Sequence, residues 1–132
     1  LAIVKSTTTD KVSSVNNIME AEEILFFQDL IRKLPVADNV MEYAVKLATS
    51  TRAGSQFANE VVNNYLSRGA GPRASQYLII GAKCHAAING KYSPDIEDVK
   101  AVAEPILRHR IVRNYKAEAD GFSIEKIIES LL

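Results

Sequence analysis

The sequence has no excess of charge of either sign, and this absence limits the partners that it attracts. Sixteen Lys and Arg residues balance sixteen Asp and Glu residues, so the formal net charge at pH 7 is zero. Without a global field, neither nucleic acid nor an anionic membrane surface is drawn to the chain as a whole. Any recognition of an anion must therefore be local.

Cysteine is nearly absent, and long apolar runs are missing. The single cysteine, Cys84, cannot form a disulfide within the chain, which favours a cytosolic setting. No stretch approaches the roughly 18 to 20 apolar residues of a membrane span, and no charged-then-apolar leader opens the sequence. The sequence indicates neither membrane insertion nor export, and we expect a cytoplasmic protein.

The residues that would hydrolyse a nucleotide or hold a metal are missing as well. The chain has no Gly-x-x-x-x-Gly-Lys-Ser/Thr loop to cradle phosphates, and no strand that ends in acidic residues to hold magnesium. Cys84 and His85 are adjacent and so do not share a helix face, and His109 has no neighbouring Asp or Cys. We expect Cys84 in the core, His109 on the surface, and no catalytic residue or metal site.

Helical periodicity dominates what is present. With 132 residues and 47% hydrophobic content, the chain is long enough for one domain with its own core. No segment alternates like a strand, so the predicted fold class is all-α, a single bundle of about five helices. Apolar residues recur at three- and four-residue steps in the segments 19–34, 38–52, 54–68, 72–89, 94–107 and after 123.

Residues that start or stop helices refine the boundaries of these segments. Residues 1–17 show no sustained period and are predicted as a flexible connector, which leaves 18–132 as the helical domain. Ser93 and Pro94 are predicted to start one helix, and Pro105 to kink or restart it. Within 54–68 we predict a short helix capped by Ser55, in a surface elaboration with a few apolar anchors. An added contact surface is the alternative there.

The most informative stretch is residues 69–75 (GAGPRAS). Proline is preferred at the first helical position, so Pro72 places Arg73 in the first turn of the helix. The positive end of the helix dipole disfavours a cation there by roughly 0.3 to 1 kcal/mol. A phosphate held by the guanidinium and the N-terminal amides would reverse that sign. An ion pair between Arg73 and a surface carboxylate is the alternative that spacing leaves open.

Three motifs in this order, residues 69–75 (GAGPRAS), 92–99 (YSPDIEDV) and 107–112 (LRHRIV), resemble the C-terminal lid of a MoxR-type AAA+ ATPase. The earlier chain is similar to the same lid, so the resemblance covers residues 24–132. The matching segments in the earlier chain are EIL at 23–25, VAD at 36–38, YAVKL at 43–47 and TR at 51–52. Residues 54–68 depart from the family pattern, because this connection is longer than usual.

The resemblance implies a role for Arg73. In that family the matching arginine is a sensor 2 residue, which reaches from the lid to the phosphates of ATP. The supporting motif comprises Gly69, Gly71, Pro72 and Ala74.

The resemblance also implies that the chain is a piece of a longer protein, whose own N-terminal core binds ATP and Mg²⁺. This chain alone is then expected not to hydrolyse ATP, whereas the intact parent is expected to do so. The parent is further expected to be a chaperone-like hexameric ring, beside partners with von Willebrand factor A domains.

Basic residues cluster towards the C-terminus. Between Lys100 and Lys116 five basic residues face one acidic residue, Glu104, for a local charge of +4. Such clustering suits the C-terminus of a helix, which is the simpler explanation. In a ring, the alternative is that Arg108 and Arg110 contact a neighbouring subunit.

Two other classes of function stay open at this stage. One is a stand-alone helical module that binds a protein partner and has no nucleotide role. The other is a nucleic-acid binder that uses Arg108, Arg110 and Arg113, against which the neutral net charge argues.

Overall fold

The computed structural model describes residues 1–8 and 16–132, and within them nine helices accompany two short strands. The predicted all-α class is confirmed, although the helices are shorter and more numerous than the sequence indicated. In chain order the elements are α1 (Ala2–Thr7), α2 (Ala21–Lys33), α3 (Asp38–Ser50), α4 (Glu60–Tyr65), β1 (Leu66–Arg68), α5 (Pro72–Ile88), α6 (Ile96–Ala101), α7 (Ala103–Leu107), β2 (Val112–Arg113), α8 (Tyr115–Ala119) and α9 (Ile124–Glu129).

Helix α5 lies at the centre of the bundle and packs against α2, α3, α6 and α7. Its fully buried positions are four residues apart, so they form one continuous stripe along the helix. This stripe consists of Ala74, Leu78, Ala82 and Ala86. The sequence of α5 is apolar on nearly every side, which predicts a buried helix, but Tyr77, Ile80 and Ile88 remain exposed. Helix α5 is therefore central but is not covered on every side.

The core around this stripe draws on most of the other helices. Full burial of a Leu, Ile or Val side chain contributes about 1.5 to 3 kcal/mol, so a handful of such residues holds the short helices in place. The largest buried apolar side chains are Leu78, Leu107, Ile127, Ile128, Val62 and Val99. The bundle thus depends on packing between helices that are too short to be stable in isolation.

Proline divides the region that the sequence predicted as one helix, and the predicted restart is confirmed. Pro105 has no N–H, so it cannot donate to the carbonyl of Ala101, where α6 ends. Helix α7 begins two residues later, with Pro105 in its first turn, where the backbone N–H groups need no helical partner.

The predicted start of α6 was wrong by two residues. The N-cap is Asp95 rather than Ser93, and its side chain accepts the N–H of Asp98 at 3.1 Å. The Asp98 carboxylate accepts the Asp95 N–H at 2.9 Å in return. This reciprocal capping box satisfies two backbone donors at once, which the Ser93 and Pro94 pair does not provide.

The segment 54–68 contains the predicted short helix, α4, but Ser55 does not cap it. Asn59 is the N-cap, and its side chain accepts the Val62 N–H at 2.9 Å. Val62 and Leu66 are both buried, so this segment contributes to the core. Strand β1 pairs antiparallel with β2, and strands of three and two residues are too short to show an alternating pattern in the sequence.

The predicted connector, residues 1–17, contains a short helix. Ala2–Thr7 form α1, none of whose residues is buried. The hydroxyls of Thr7 and Thr8 donate to the carbonyls of Ile3 and Val4 at the end of this helix. The rest of the predicted connector includes residues 9–15, which lie outside the described residues.

Helix α2 covers part of α5 without burying any of its own residues. Leu25 and Phe26 point outwards, and each is more than 60% exposed. Between α2 and α5 lies an apolar groove of about 420 Å³ that includes Phe27, Ile80 and Cys84. Cys84 is half-buried in this groove, so its predicted place in the core is wrong. None of the described helices has the length and apolar character needed to cross a membrane.

Candidate functional site

The candidate site is the start of α5, where the structure confirms the predicted placement of Pro72. Gly71 is the N-cap, Pro72 is the first helical residue and Arg73 the second. Glycine has no side chain to accept a backbone N–H, and the first turn of this helix contains no acidic residue. The positive end of the dipole of a 17-residue helix therefore has no compensating negative side chain of its own.

The Arg73 side chain is exposed. Among residues 1–8 and 16–132, no carboxylate, carbonyl or ring lies within contact of its guanidinium. The alternative that Arg73 pairs with a surface carboxylate is therefore not observed in this part of the chain. A cation beside uncompensated helix N–H groups forms a local anion-attracting point on a neutral domain.

The loop before Arg73 is held by the residues that end α3. The Ala70 N–H donates to Thr51 Oγ1 at 2.8 Å, and Arg52 Nε donates to the Ala70 carbonyl at 3.0 Å. The Thr51 hydroxyl in turn donates to the Ala48 carbonyl at 2.7 Å. Thr51 is completely buried and Ala70 is 1% exposed, so the two hydrogen bonds of the Thr51 hydroxyl are shielded from water, whereas the bond from Arg52 is partly buried.

The two glycines of the motif have different structural roles. A Cβ at Gly69 would lie 2.4 Å from the Thr51 carbonyl oxygen, so only glycine allows the loop to approach α3 this closely. A Cβ at Gly71 would meet nothing within 4 Å, and its φ of −82° suits any residue. Ala74 is fully buried and faces the core, away from the exposed Arg73. Of the supporting motif, Gly69 and Ala74 thus serve packing.

The predicted basic cluster is divided by its contacts. Arg108 is exposed. The Arg110 guanidinium lies 4.8 Å from the centre of the Tyr77 ring, donates to the Ile106 carbonyl at 2.5 Å and contacts His109. Arg110 is therefore partly engaged within the domain, and Arg108 presents its charge to solvent. His109 is on the surface, as predicted.

Arg113, the remaining arginine of the cluster, is also engaged within the domain. It donates to the Phe122 carbonyl at 2.9 Å and lies 4.0 Å from a Glu118 carboxylate oxygen. This internal use leaves fewer free cations for nucleic acid than the sequence offered.

Sequence reasoning missed a polar cluster around Asp98, because its members come from the end of α5 and the start of α6. His85 Nδ1 lies 2.7 Å from Asp98 Oδ1, and Lys91 Nζ lies 3.0 Å from Asp98 Oδ2. Burial alone would raise the pKa of Asp98. Hydrogen bonds from the Asp95 N–H, His85 and Lys91, with the charge of Lys91, outweigh it and lower that pKa to about 2.

This cluster joins α5 to α6, and we assign it a structural role. The part of the chain that the structure describes contains no group of three or more His, Cys, Asp or Glu residues arranged to hold a metal ion. Any Mg²⁺ beside a bound nucleotide would need ligands from another part of the protein.

The family model for the AAA lid domain matches residues 58–131, which is more than half of the chain. The chain belongs to the AAA lid domain family. The matched region contains the Arg73 turn, the central helix and the basic cluster, so the geometry described above is that of a lid.

One relative is a MoxR chaperone, in agreement with the resemblance that the sequence motifs predicted. The chain is 34% identical over 119 residues to Chaperone MoxR1 of Mycobacterium tuberculosis. The matched region covers 86% of this chain and 32% of the relative. The chain is 21% identical over 121 residues to the uncharacterized protein YeaC of Bacillus subtilis, covering 92% and 35%. The chain thus spans about a third of the length of these relatives.

A solved structure shares this fold. A protein of Cytophaga hutchinsonii, provisionally assigned as an ATPase, superposes with a TM-score of 0.82 at 31% identity. The superposition covers 98% of this chain and 39% of that protein. The fold described here is therefore part of a longer polypeptide in that protein too.

Proposed function

We propose that this lid works in a longer MoxR-type AAA+ ATPase, and that Arg73 is its sensor 2 residue. In this proposal the Arg73 guanidinium contacts the γ-phosphate of ATP held by a core outside this chain. The observation that carries the proposal is the exposed side chain of Arg73, without a partner in the described residues, in the first turn of α5.

The chemistry of this position suits a phosphate. A charge-assisted hydrogen bond contributes about 1.5 to 3 kcal/mol, which exceeds the roughly 0.3 to 1 kcal/mol that a cation loses beside a helix N-terminus. Arginine also presents a planar fork of N–H donors that matches phosphate oxygens in pairs. Bound ATP would supply the phosphoryl group and its charge, and the residues of this chain would bind and orient that charge.

The position of Arg73 on the central helix supports a second part of the proposal. Helix α5 contacts four other helices, so a displacement of its N-terminus also displaces the helices packed against it. We infer that the lid moves as a rigid body when Arg73 gains or loses the γ-phosphate. The lid would then report the nucleotide state to the rest of the assembly.

The wider setting of the proposal rests on the resemblance of the sequence motifs to MoxR-type ATPases. We propose that the intact protein binds ATP with Mg²⁺ and forms a chaperone-like hexameric ring in the cytoplasm, beside partners with von Willebrand factor A domains. Its own N-terminal core and the neighbouring subunits are the nearest partners. The exposed charge of Arg108, with Arg110 beside it, supports an interface with a neighbouring subunit.

The test is ATP hydrolysis by the intact protein with Arg73→Ala. We expect the rate to fall by about tenfold or more, because the guanidinium stabilises charge on the transferred phosphoryl group. The matched control is Arg68→Ala, which removes another exposed arginine from the same loop region and should leave the rate unchanged. Equal rates for wild type and Arg73→Ala would refute the sensor role and favour a protein-interaction module without a nucleotide role.

A further inference from the structure

We propose that Thr51 and Arg52, at the end of α3, are positioning residues that fix the direction of Arg73. This inference rests on the proposed role of Arg73 in phosphate binding. It concerns residues that touch no ligand themselves and act through the loop that begins α5.

The first step is that both backbone polar groups of one residue, Ala70, are hydrogen-bonded. Ala70 donates its N–H to Thr51 Oγ1 at 2.8 Å and accepts from Arg52 Nε through its carbonyl at 3.0 Å. Two consecutive residues directly after α3 thus hold both polar groups of a single residue. This arrangement determines the position of Ala70 and the orientation of its peptide groups.

The second step is that the Thr51 hydroxyl, which accepts from Ala70, is itself held in one orientation. The buried Thr51 hydroxyl uses its own proton for the Ala48 carbonyl at 2.7 Å, so it is oriented as an acceptor for Ala70. The close approach at Gly69, where a Cβ would lie 2.4 Å from the Thr51 carbonyl, leaves the loop no room to move towards α3.

The third step connects this grip to Arg73. Only Gly71 and Pro72 separate Ala70 from Arg73, and the proline ring fixes one of the intervening torsions. Because the Arg73 guanidinium has no hydrogen bond, ion pair or ring contact in the described chain, its direction follows from where α5 begins. A displacement of about 1 Å at such a group costs on the order of 100-fold in a reaction that it assists.

The test uses Thr51→Val and Thr51→Ser in the intact protein, each in the wild-type and the Arg73→Ala backgrounds. Valine has nearly the shape of threonine but can neither accept from Ala70 nor donate to Ala48, whereas serine keeps the hydroxyl. The readouts are the dissociation constant of a non-hydrolysable ATP analogue, kcat for ATP, and hydrogen exchange of the Ala70 amide.

For Thr51→Val we expect faster exchange at Ala70, together with about tenfold weaker analogue binding or about tenfold lower kcat. For Thr51→Ser, which keeps the hydroxyl, analogue binding and kcat should stay within about twofold of the wild-type values. In the Arg73→Ala background the Thr51→Val change should have less than about a twofold effect, because a positioning residue has nothing left to position. Arg52→Ala, at an exposed position, should show the same pattern in analogue binding and kcat. It replaces Thr51→Val as the test variant if Thr51→Val folds poorly.

Two results would overturn the inference, and they differ from a failure of the proposed function. An equal loss from Thr51→Val in both backgrounds would show that Thr51 acts through stability alone. Unchanged binding and kcat in Thr51→Val and Arg52→Ala, while Arg73→Ala is impaired, would refute the positioning role only. An unimpaired Arg73→Ala would refute the sensor role itself and the positioning role with it.

Discussion

Replacing Asp98 by asparagine removes the one fully buried carboxylate that the structure describes, and its effect can be worked out from its contacts. Asp98 accepts hydrogen bonds from His85, Lys91 and the Asp95 N–H, all between 2.7 and 3.2 Å. Asparagine keeps one acceptor oxygen but places an N–H₂ group where a second acceptor is required. The change therefore leaves at least one donor without a partner and breaks the link between α5 and α6.

The magnitude follows from the pKa of Asp98. Its contacts lower that pKa from 3.8 to about 2, and one pH unit corresponds to about 1.4 kcal/mol of differential stabilisation. The ionised carboxylate thus contributes about 2 kcal/mol to the free energy of unfolding. We expect Asp98→Asn to lower that free energy at pH 7 by about 2 to 4 kcal/mol, including the donor left unpaired.

The pH dependence has a definite sign. Since the pKa of Asp98 is lower in the folded state, the unfolded chain binds more protons between about pH 4 and pH 2. The contribution is therefore complete above about pH 5 and is lost as the pH falls through that range. The stability difference between wild type and Asp98→Asn should shrink over the same range.

The assay is urea unfolding of this chain, followed by circular dichroism at several pH values. The matched control is Asp95→Asn, at a neighbouring carboxylate that is 58% exposed and where asparagine is an equally good N-cap. The control should change the free energy of unfolding by less than about 1 kcal/mol. A difference between wild type and Asp98→Asn that stays constant from pH 7 to pH 2 would refute this account of the buried carboxylate.

Two further predictions concern the loop and the basic cluster. Gly69→Ala should lower the free energy of unfolding by about 1 to 3 kcal/mol, because its Cβ would overlap the α3 backbone, whereas Gly71→Ala has open space and should cost less than about 1 kcal/mol. Thermal unfolding checks this, and equal losses at the two glycines would contradict it. Charge reversal at Arg108 and Arg110 should impair assembly of the intact protein, measured by light scattering, or its stimulated ATP hydrolysis. Unchanged assembly and hydrolysis would remove the proposed subunit interface.

The parts of the fold that the sequence predicted well are those with local causes. Helix α5 begins at Pro72 because proline suits the first helical position, and Gly90 follows its end with a φ of +73°. Helix α3 begins within one residue of the predicted start, because Asp38, which the sequence favours as its cap, is the first helical residue and Ala37 is the N-cap. Each of these boundaries depends on the backbone preferences of one or two residues.

Contacts between distant residues were beyond the sequence patterns. The bond from Ala70 to Thr51 joins residues 19 apart, and the contact of His85 with Asp98 joins residues 13 apart. Neither pair shares a helix, so their meeting depends on how α3, α5 and α6 pack. Helix α8 was missed for a different reason, because five residues do not complete two turns and show no period.

The candidate site was predicted in part for the same reasons. Local chemistry located Arg73 in the first turn of α5, but spacing alone left the phosphate and the carboxylate as equal partners. The structure removes the carboxylate partner within the described residues and adds the grip on Ala70. In the proposal, the phosphate that Arg73 contacts is held by a core outside this chain.

The most direct test of the central claim is a structure of the intact protein with Mg²⁺ and a non-hydrolysable ATP analogue. The account predicts that the Arg73 guanidinium lies within about 3 Å of a γ-phosphate oxygen, with the start of α5 facing the nucleotide. A nucleotide-bound structure in which Arg73 points into solvent, or pairs with a carboxylate of the core, would contradict it.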